Sequence, residues 1–174
     1  MNAIATMPER APNWLEHALN GVDKLVTGLL LAAVAVMVGV VSAQVGLRYG
    51  FNLSIDWADE LGRLAFVWSI FLAIPLGVRQ GAHIGIDIVA DKLPPVLRAA
   101  LKRIAAAMSA LMMAVIAWAA FGVAREQWDE LMSTLDWSVG WFIVPVCIGA
   151  LLSALHLVRI VIVGPPQAHI GGAE

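Results

Sequence analysis

Residues 25–47 read LVTGLLLAAVAVMVGVVSAQVGL, 23 consecutive positions without a charge between Lys24 and Arg48. A helix rising ~1.5 Å per residue needs about 20 apolar residues to cross ~30 Å of hydrocarbon. This stretch therefore predicts a transmembrane helix. The same rhythm returns further along, with 21 uncharged residues between Arg103 and Arg125 and 22 between Asp136 and Arg159. The interval from Arg63 to Arg79 holds only 15. Its flanking arginines can snorkel to the headgroups, and Leu61 and Gly62 lengthen it outward, so it counts as a full span. The prediction is an all-α membrane protein, one domain over 1–174, with spans at 25–47, 61–79, 99–124 and 138–160.

Composition agrees with that reading. The chain is 60% hydrophobic and 14% charged, against roughly 45–50% and about 25% for soluble domains. A soluble protein this small has too much surface for its volume to hide such an excess. The net charge of −2, with no basic run and no stacking platform, excludes a nucleic-acid partner. Cys147 is the only cysteine, which leaves no disulfide framework and no metal-finger spacing; it reads as a small apolar packing residue. The segment before Leu25 mixes Glu9, Glu16 and Asp23 with Arg10 and Lys24, unlike a basic leader, and the apolar stretch is too long for a signal peptide core. The first span is predicted to be retained.

Charge asymmetry orients the spans. Arg10, Lys24, Arg79, Lys92, Arg98, Lys102, Arg103 and Arg159 fall on one side, eight in all, while Arg48, Arg63 and Arg125 fall on the other. The second side also carries Asp56, Asp59, Glu60, Glu126, Asp129, Glu130 and Asp136. The positive-inside rule then puts both termini in the cytoplasm of an inner membrane. Asn13 followed by Glu16, with Trp14, Leu15, Ala18 and Leu19, predicts a short interfacial helix over 13–22. Residues 82–93, with His83, Asp87 and Asp91 every fourth position, predict a second interfacial arm ended by Pro94-Pro95. Trp57, Trp128, Trp137 and Trp141 sit at the outer boundary as an aromatic belt. Pro75 and Pro145 each remove a helical hydrogen bond inside a span and predict kinks.

Polar groups at membrane depth are costly and mark transport or redox chemistry. Here the spans offer Thr27, Ser42, Gln44, Ser69, Ser109, Ser138, Ser153 and His156, and no carboxylate. No pair of broken helices in corresponding halves suggests an inverted-repeat transport site. Instead, Gly28, Ala32, Ala35, Gly39, Ala43 and Gly46 recur every three or four residues along the first span, a stripe that lets another helix approach closely. On the outside, Asp59 and Glu60 stand within helical pairing range of Arg63. His83 and Asp87 are likewise four apart, too few ligands for a metal. His83 and His156 could together ligate a haem, as in anchor subunits of quinone-linked redox enzymes; this is the alternative reading.

One ordered set of motifs points further. Trp57-Ala58-Asp59-Glu60-Leu61-Gly62-Arg63, then Phe66-Val67-Trp68, then Arg79-Gln80-Gly81-Ala82-His83-Ile84-Gly85-Ile86-Asp87, resembles the small membrane subunit of TRAP (tripartite ATP-independent periplasmic) transporters. The match in order covers about 45 residues, and length and span number match over the whole chain. Members often carry a glycine in mid-span two, where this chain reads Leu72-Ala73-Ile74-Pro75-Leu76-Gly77. The resemblance implies a non-enzymatic subunit that braces a large TRAP membrane subunit, which would hold the substrate and the coupling sodium; no cofactor is expected in this chain. A periplasmic binding protein would deliver an organic acid. Trp57, Asp59, Glu60, Arg63, Arg79, His83, Asp87, Arg98 and Arg103 become candidate contacts with partner subunits or membrane lipids, and Asp56, Glu126, Asp129 and Glu130 candidates for seating the binding protein.

Overall fold

The computed structural model describes residues 13–79 and 94–163. They form four long helices: α1 (Asn13–Phe51), α2 (Asp56–Arg79), α3 (Pro95–Glu126) and α4 (Val144–Val163), with a single turn of 3-10 helix at Val139–Phe142 before α4. All four are long and apolar enough to cross a membrane. The chain is thus an all-α membrane protein of four spanning helices.

The helices stand in a row rather than a closed bundle. α1 packs on α2, α2 on α4, and α4 on α3, and among the described residues no other pair of the four long helices comes into backbone proximity. The middle pair, α2 and α4, each bury 33% of their most apolar stretch, against 17% for α3 and 6% for α1. One end of the row carries the α1–α2 and α3–α4 connections and is called the connector end below. The other holds Asn20, Arg79 and the close of α4.

Three seams hold the row together. Along α1 the half-buried positions Leu30, Ala33, Met37, Val40, Gln44 and Leu47 alternate in steps of three and four, the spacing of a helix seam. A side chain placed on Gly62 of α2 would touch Val41 at 3.5 Å. Between α4 and α3, Leu157 is fully buried on Ala106 and Ala110, with Val78 of α2, Met113, Ile160 and Val161 packed around them.

The central α2–α4 seam rests on two backbone carbonyls, Phe71 and Trp141. Pro75 and Pro145 are both fully buried. Pro75, inside α2, lacks the N–H that would bond the Phe71 carbonyl four residues earlier. The kink expected at Pro145 does not form: the span expected from 138 opens as 3-10 helix and α4 begins at Val144, so Pro145 stands in a first turn, where no helical N–H bond is owed. Trp68 of α2 donates its indole N–H to the Trp141 carbonyl at 3.1 Å. Gly149 of α4 sits against the Phe71 carbonyl, so close that a Cβ there would lie 2.3 Å from the oxygen. Pro75 frees the Phe71 carbonyl, which Gly149 of the opposite helix approaches, while the Trp141 carbonyl, in the turn ahead of α4, is taken by the Trp68 indole.

Two further sequence expectations change. Residues 13–22 are not a separate helix: α1 runs from Asn13 to Phe51 as 39 continuous residues, about 58 Å at ~1.5 Å per residue. The only breaker-type residue at the junction is Gly21, which a helix tolerates at a cost of ~1 kcal/mol. The span expected from 61 begins at Asp56, so Trp57, Asp59 and Glu60 are helical. The interfacial arm assigned to 82–93 lies outside the described residues. At the far end of α1, Asn52 adopts a positive φ of 53°, which asparagine tolerates better than most residues, and the chain turns directly into α2.

Candidate functional site

Charged and polar groups gather at the two ends of the row, and they tie helices together at each. At the connector end Glu60, only 7% exposed, reaches from the first turns of α2 into the segment joining α3 to α4. Its Oε1 accepts the Ser133 N–H at 2.9 Å. Its Oε2 accepts the backbone N–H groups of Thr134 at 2.9 Å and Leu135 at 3.0 Å, and the Thr134 hydroxyl. The loop is shaped to receive it: the Met132 N–H bonds the Trp137 carbonyl and the Val139 N–H bonds the Glu130 carbonyl, both at 2.8 Å. This closes a tight turn whose amides converge on one anion. Carboxylate-to-amide bonds of this kind are the stronger class of hydrogen bond.

Sequence spacing paired Asp59 and Glu60 with Arg63, and the structure pairs them elsewhere. Glu60 turns to the loop because four donors outbid one exposed guanidinium, and Asp59 accepts the Gln44 side-chain amide of α1 at 2.9 Å. Arg63 is exposed. Asp56 and Trp57 are exposed beside it, as are Glu126, Asp129 and Glu130 on the facing segment. Trp128, Trp141 and Trp68 form a chain of tilted rings, with centroids 6.1 and 6.3 Å apart. Gly140 is required there, since a Cβ would meet Trp128 at 2.7 Å.

At the opposite end the organising group is Asp23, a residue that the span pattern had placed just ahead of the membrane. It is 5% exposed. Its two carboxylate oxygens bond Arg79 of α2 and, at 3.1 Å, His156 Nε2 of α4. The other Arg79 terminal nitrogen donates to Asn20, and the Thr27 hydroxyl donates to the Asp23 carbonyl at 2.7 Å. One carboxylate thus joins three helices. Of the remaining candidates, Arg98 is half-buried and Arg103 exposed in the first turns of α3, while His83 and Asp87 lie outside the described residues. His156 is 3% exposed with its Nε2 on Asp23, so the nitrogen needed for a haem is already engaged.

Between the two ends the interior is nearly dry. The buried serines bond their own helices: Ser69 donates to the Phe66 carbonyl and Ser153 to the Gly149 carbonyl, each at 2.7 Å. Among the described residues no group of three or more histidine, cysteine or carboxylate side chains is placed to hold a metal. The stripe Gly28, Ala32, Ala35, Gly39, Ala43 and Gly46 is exposed throughout. It faces away from α2, because the seam residues of α1 occupy the other side of the helix.

Comparison with known proteins agrees with this architecture. Residues 37–164 match the family described as tripartite ATP-independent periplasmic transporters, DctQ component. The chain belongs to this family. It is therefore a small subunit of a TRAP transporter, a multi-pass inner-membrane transport component and not an enzyme. A relative from Haemophilus influenzae named as a TRAP transporter small permease protein is 30% identical over 150 residues, covering 84% of this chain and 90% of the relative. The sialic acid TRAP transporter small permease protein SiaQ of Vibrio cholerae is 29% identical over 87 residues, half of this chain and 49% of its own. A stretch of the sialic acid TRAP transporter permease protein SiaT of Haemophilus influenzae, 12% of that longer chain, is 30% identical over 80 residues.

Proposed function

We propose that this TRAP small subunit is a static scaffold that braces a large permease subunit during ion-coupled uptake of an organic acid. The observation that carries the reading is the interior. α2 and α4 are locked by Gly149 on Phe71 and Trp68 on Trp141, the row is clamped at both ends, and the mid-span serines are satisfied by their own backbones. Such an interior offers substrate no polar path and no alternative packing to move between. Substrate and coupling sodium belong to the large subunit. The SiaT relative, in which a similar stretch forms part of a longer permease chain, supports close association of the two.

The exposed small-residue stripe of α1 is the face we assign to the large subunit, because small side chains let helices approach closely in lipid. Both termini face the cytoplasm, following the eight-to-three distribution of basic residues. The connector end then faces the periplasm, where Asp56, Glu126 and Glu130 seat a binding protein that delivers the substrate, while Asp129, the fourth acidic candidate, lines a groove between α3 and α4 instead. The test is reconstitution of the large subunit with and without this chain, with uptake driven by a sodium gradient and substrate supplied on the binding protein. Uptake should collapse without the chain. Undiminished uptake from the large subunit alone would refute the scaffold, and charge reversal at Asp56, Glu126 and Glu130 that left docking unchanged would remove the seating role.

A further inference from the structure

Between α3 and α4 at the connector end lies an open groove of about 430 Å³, lined by Phe121, Ala124, Arg125, Trp128, Asp129 and Cys147, with Val144 and Ile148 completing the wall. Its volume falls within the ~300–1,000 Å³ of ligand sites. Its chemistry changes along its length. The membrane-facing part is apolar, from Phe121, Ala124 and Ile148. The rim carries one cation and one anion, Arg125 and Asp129, four residues apart.

That spacing usually closes an ion pair. Here neither side chain makes a hydrogen bond or an ion pair with any described residue, although both line the same groove. Trp128 is fixed beside them by its ring contact with Trp141 and by the close approach of Gly140, which places an indole at the depth where tryptophan meets headgroups. A cation and an anion at the rim of an apolar cleft, beside an indole of the kind that sits among headgroups, complement a zwitterionic amphiphile. We infer that the α3–α4 groove holds a phospholipid with a primary ammonium headgroup, its phosphate on Arg125 and its ammonium on Asp129. A primary ammonium has N–H donors for the carboxylate, whereas a quaternary ammonium has none. This inference needs only the groove and the membrane, so its failure would leave the scaffold reading untouched.

The only cysteine of the chain, Cys147, lines the groove and reports on its occupancy without mutation. The complex with the large subunit is placed in vesicles of phosphatidylethanolamine and phosphatidylglycerol, or of phosphatidylcholine and phosphatidylglycerol, and maleimide labelling of this chain is followed on a gel. Labelling should be about tenfold slower with the ethanolamine lipid, the ratio one charge-assisted hydrogen bond is worth. The double variant Arg125→Gln, Asp129→Asn, both at exposed positions, should label at the same rate in the two membranes. Equal rates in the two membranes for the unaltered chain would overturn the site. So would a headgroup effect that survives in the double variant, since it would then come from the bilayer and not from the groove.

Discussion

α1 holds the most apolar membrane-length stretch of the four helices and the least buried one, with mean hydropathy 2.5 and 6% of that stretch covered. The matching stretch of α2 is the least apolar, at 1.8, and shares the greatest burial, 33%. In a soluble protein the ranking would be reversed, because apolar area drives packing there. In lipid the tails are as apolar as the side chains, so hydropathy decides which segments enter the membrane and not which of them touch. Contact is decided by shape and by hydrogen bonds. α2 and α4 have both, through Gly149 on the carbonyl that Pro75 frees and the Trp68 indole. α1 joins the row at its ends through Asp23 and Gln44, and along its seam through ordinary side chains.

The sharpest way to break this contrast is at the α2–α4 contact. Gly149→Val puts branched carbons where even a Cβ would stand 2.3 Å from the Phe71 carbonyl oxygen. Backbone cannot yield as a side-chain tip can, so the cost should reach or exceed the ~1–3 kcal/mol typical of overpacking. The expected result is a chain that inserts but loses its row, read as loss of the thermal transition followed by tryptophan fluorescence. A transition like that of the unaltered protein would mean that the two helices are not in backbone contact.

Second in size is Asp23→Ala. It leaves Arg79 and His156 without their shared carboxylate. Removing one partner of a buried pair costs ~3–5 kcal/mol, and because the Arg79 side chain is 37% exposed, solvent screening places the loss at or below the low end of that range. Asp23→Asn should recover part of it by keeping a hydrogen bond to each partner. Unfolding in graded denaturing detergent measures both, and equal stability of all three forms would show that the hub contributes nothing.

A smaller and more local effect is expected from Glu60→Gln. The amide keeps one oxygen for the loop but turns an NH₂ toward groups that are themselves donors. Hydrogen exchange at Ser133, Thr134 and Leu135 should speed up while α2 and α4 stay protected. Unchanged exchange at those three amides would show that the loop holds its shape without the carboxylate.

These cases also mark how far the sequence could be read. Three spans were legible because runs of 21 to 23 uncharged residues have no other home, the 15-residue run of the second needed its snorkelling arginines to count as a span, and the ordered motifs from Trp57 onward indicated the family. The partners of the charges were not legible. Helical spacing offered Arg63 to Asp59 and Glu60, yet both carboxylates bond across to other segments, Asp59 to Gln44 and Glu60 to a loop 73 to 75 residues away. Asp23 looked like an interfacial charge because its partners lie on α2 and α4, 56 and 133 residues distant. Pro75 and Pro145 read as kinks, yet Pro145 falls in the first turn of α4, and the approach of Gly149 to the carbonyl that Pro75 frees depends on which helices are neighbours. A local pattern has no term for that.

The smallest expected effect on the chain itself is the one that bears most on its role. Gly39 lies in the exposed stripe of α1, with no atom within 4 Å of where its Cβ would be. Gly39→Leu therefore meets nothing in this chain, and exchanging glycine for a good helix former should leave α1 as stable or slightly more so, by up to ~1 kcal/mol. Thermal unfolding of the isolated small subunit should be unchanged or raised. If the stripe faces only lipid, nothing else follows, since a leucine is as much at home there as a glycine. If the large subunit lies along the stripe, the added side chain holds two helix backbones apart, and co-purification and uptake fall together while the small subunit alone stays intact. A complex recovered in full would assign the stripe to lipid and move the interface to another face of the row. The contrast between a helix that packs and a helix that waits for a partner thus turns on one position that the fold itself does not need.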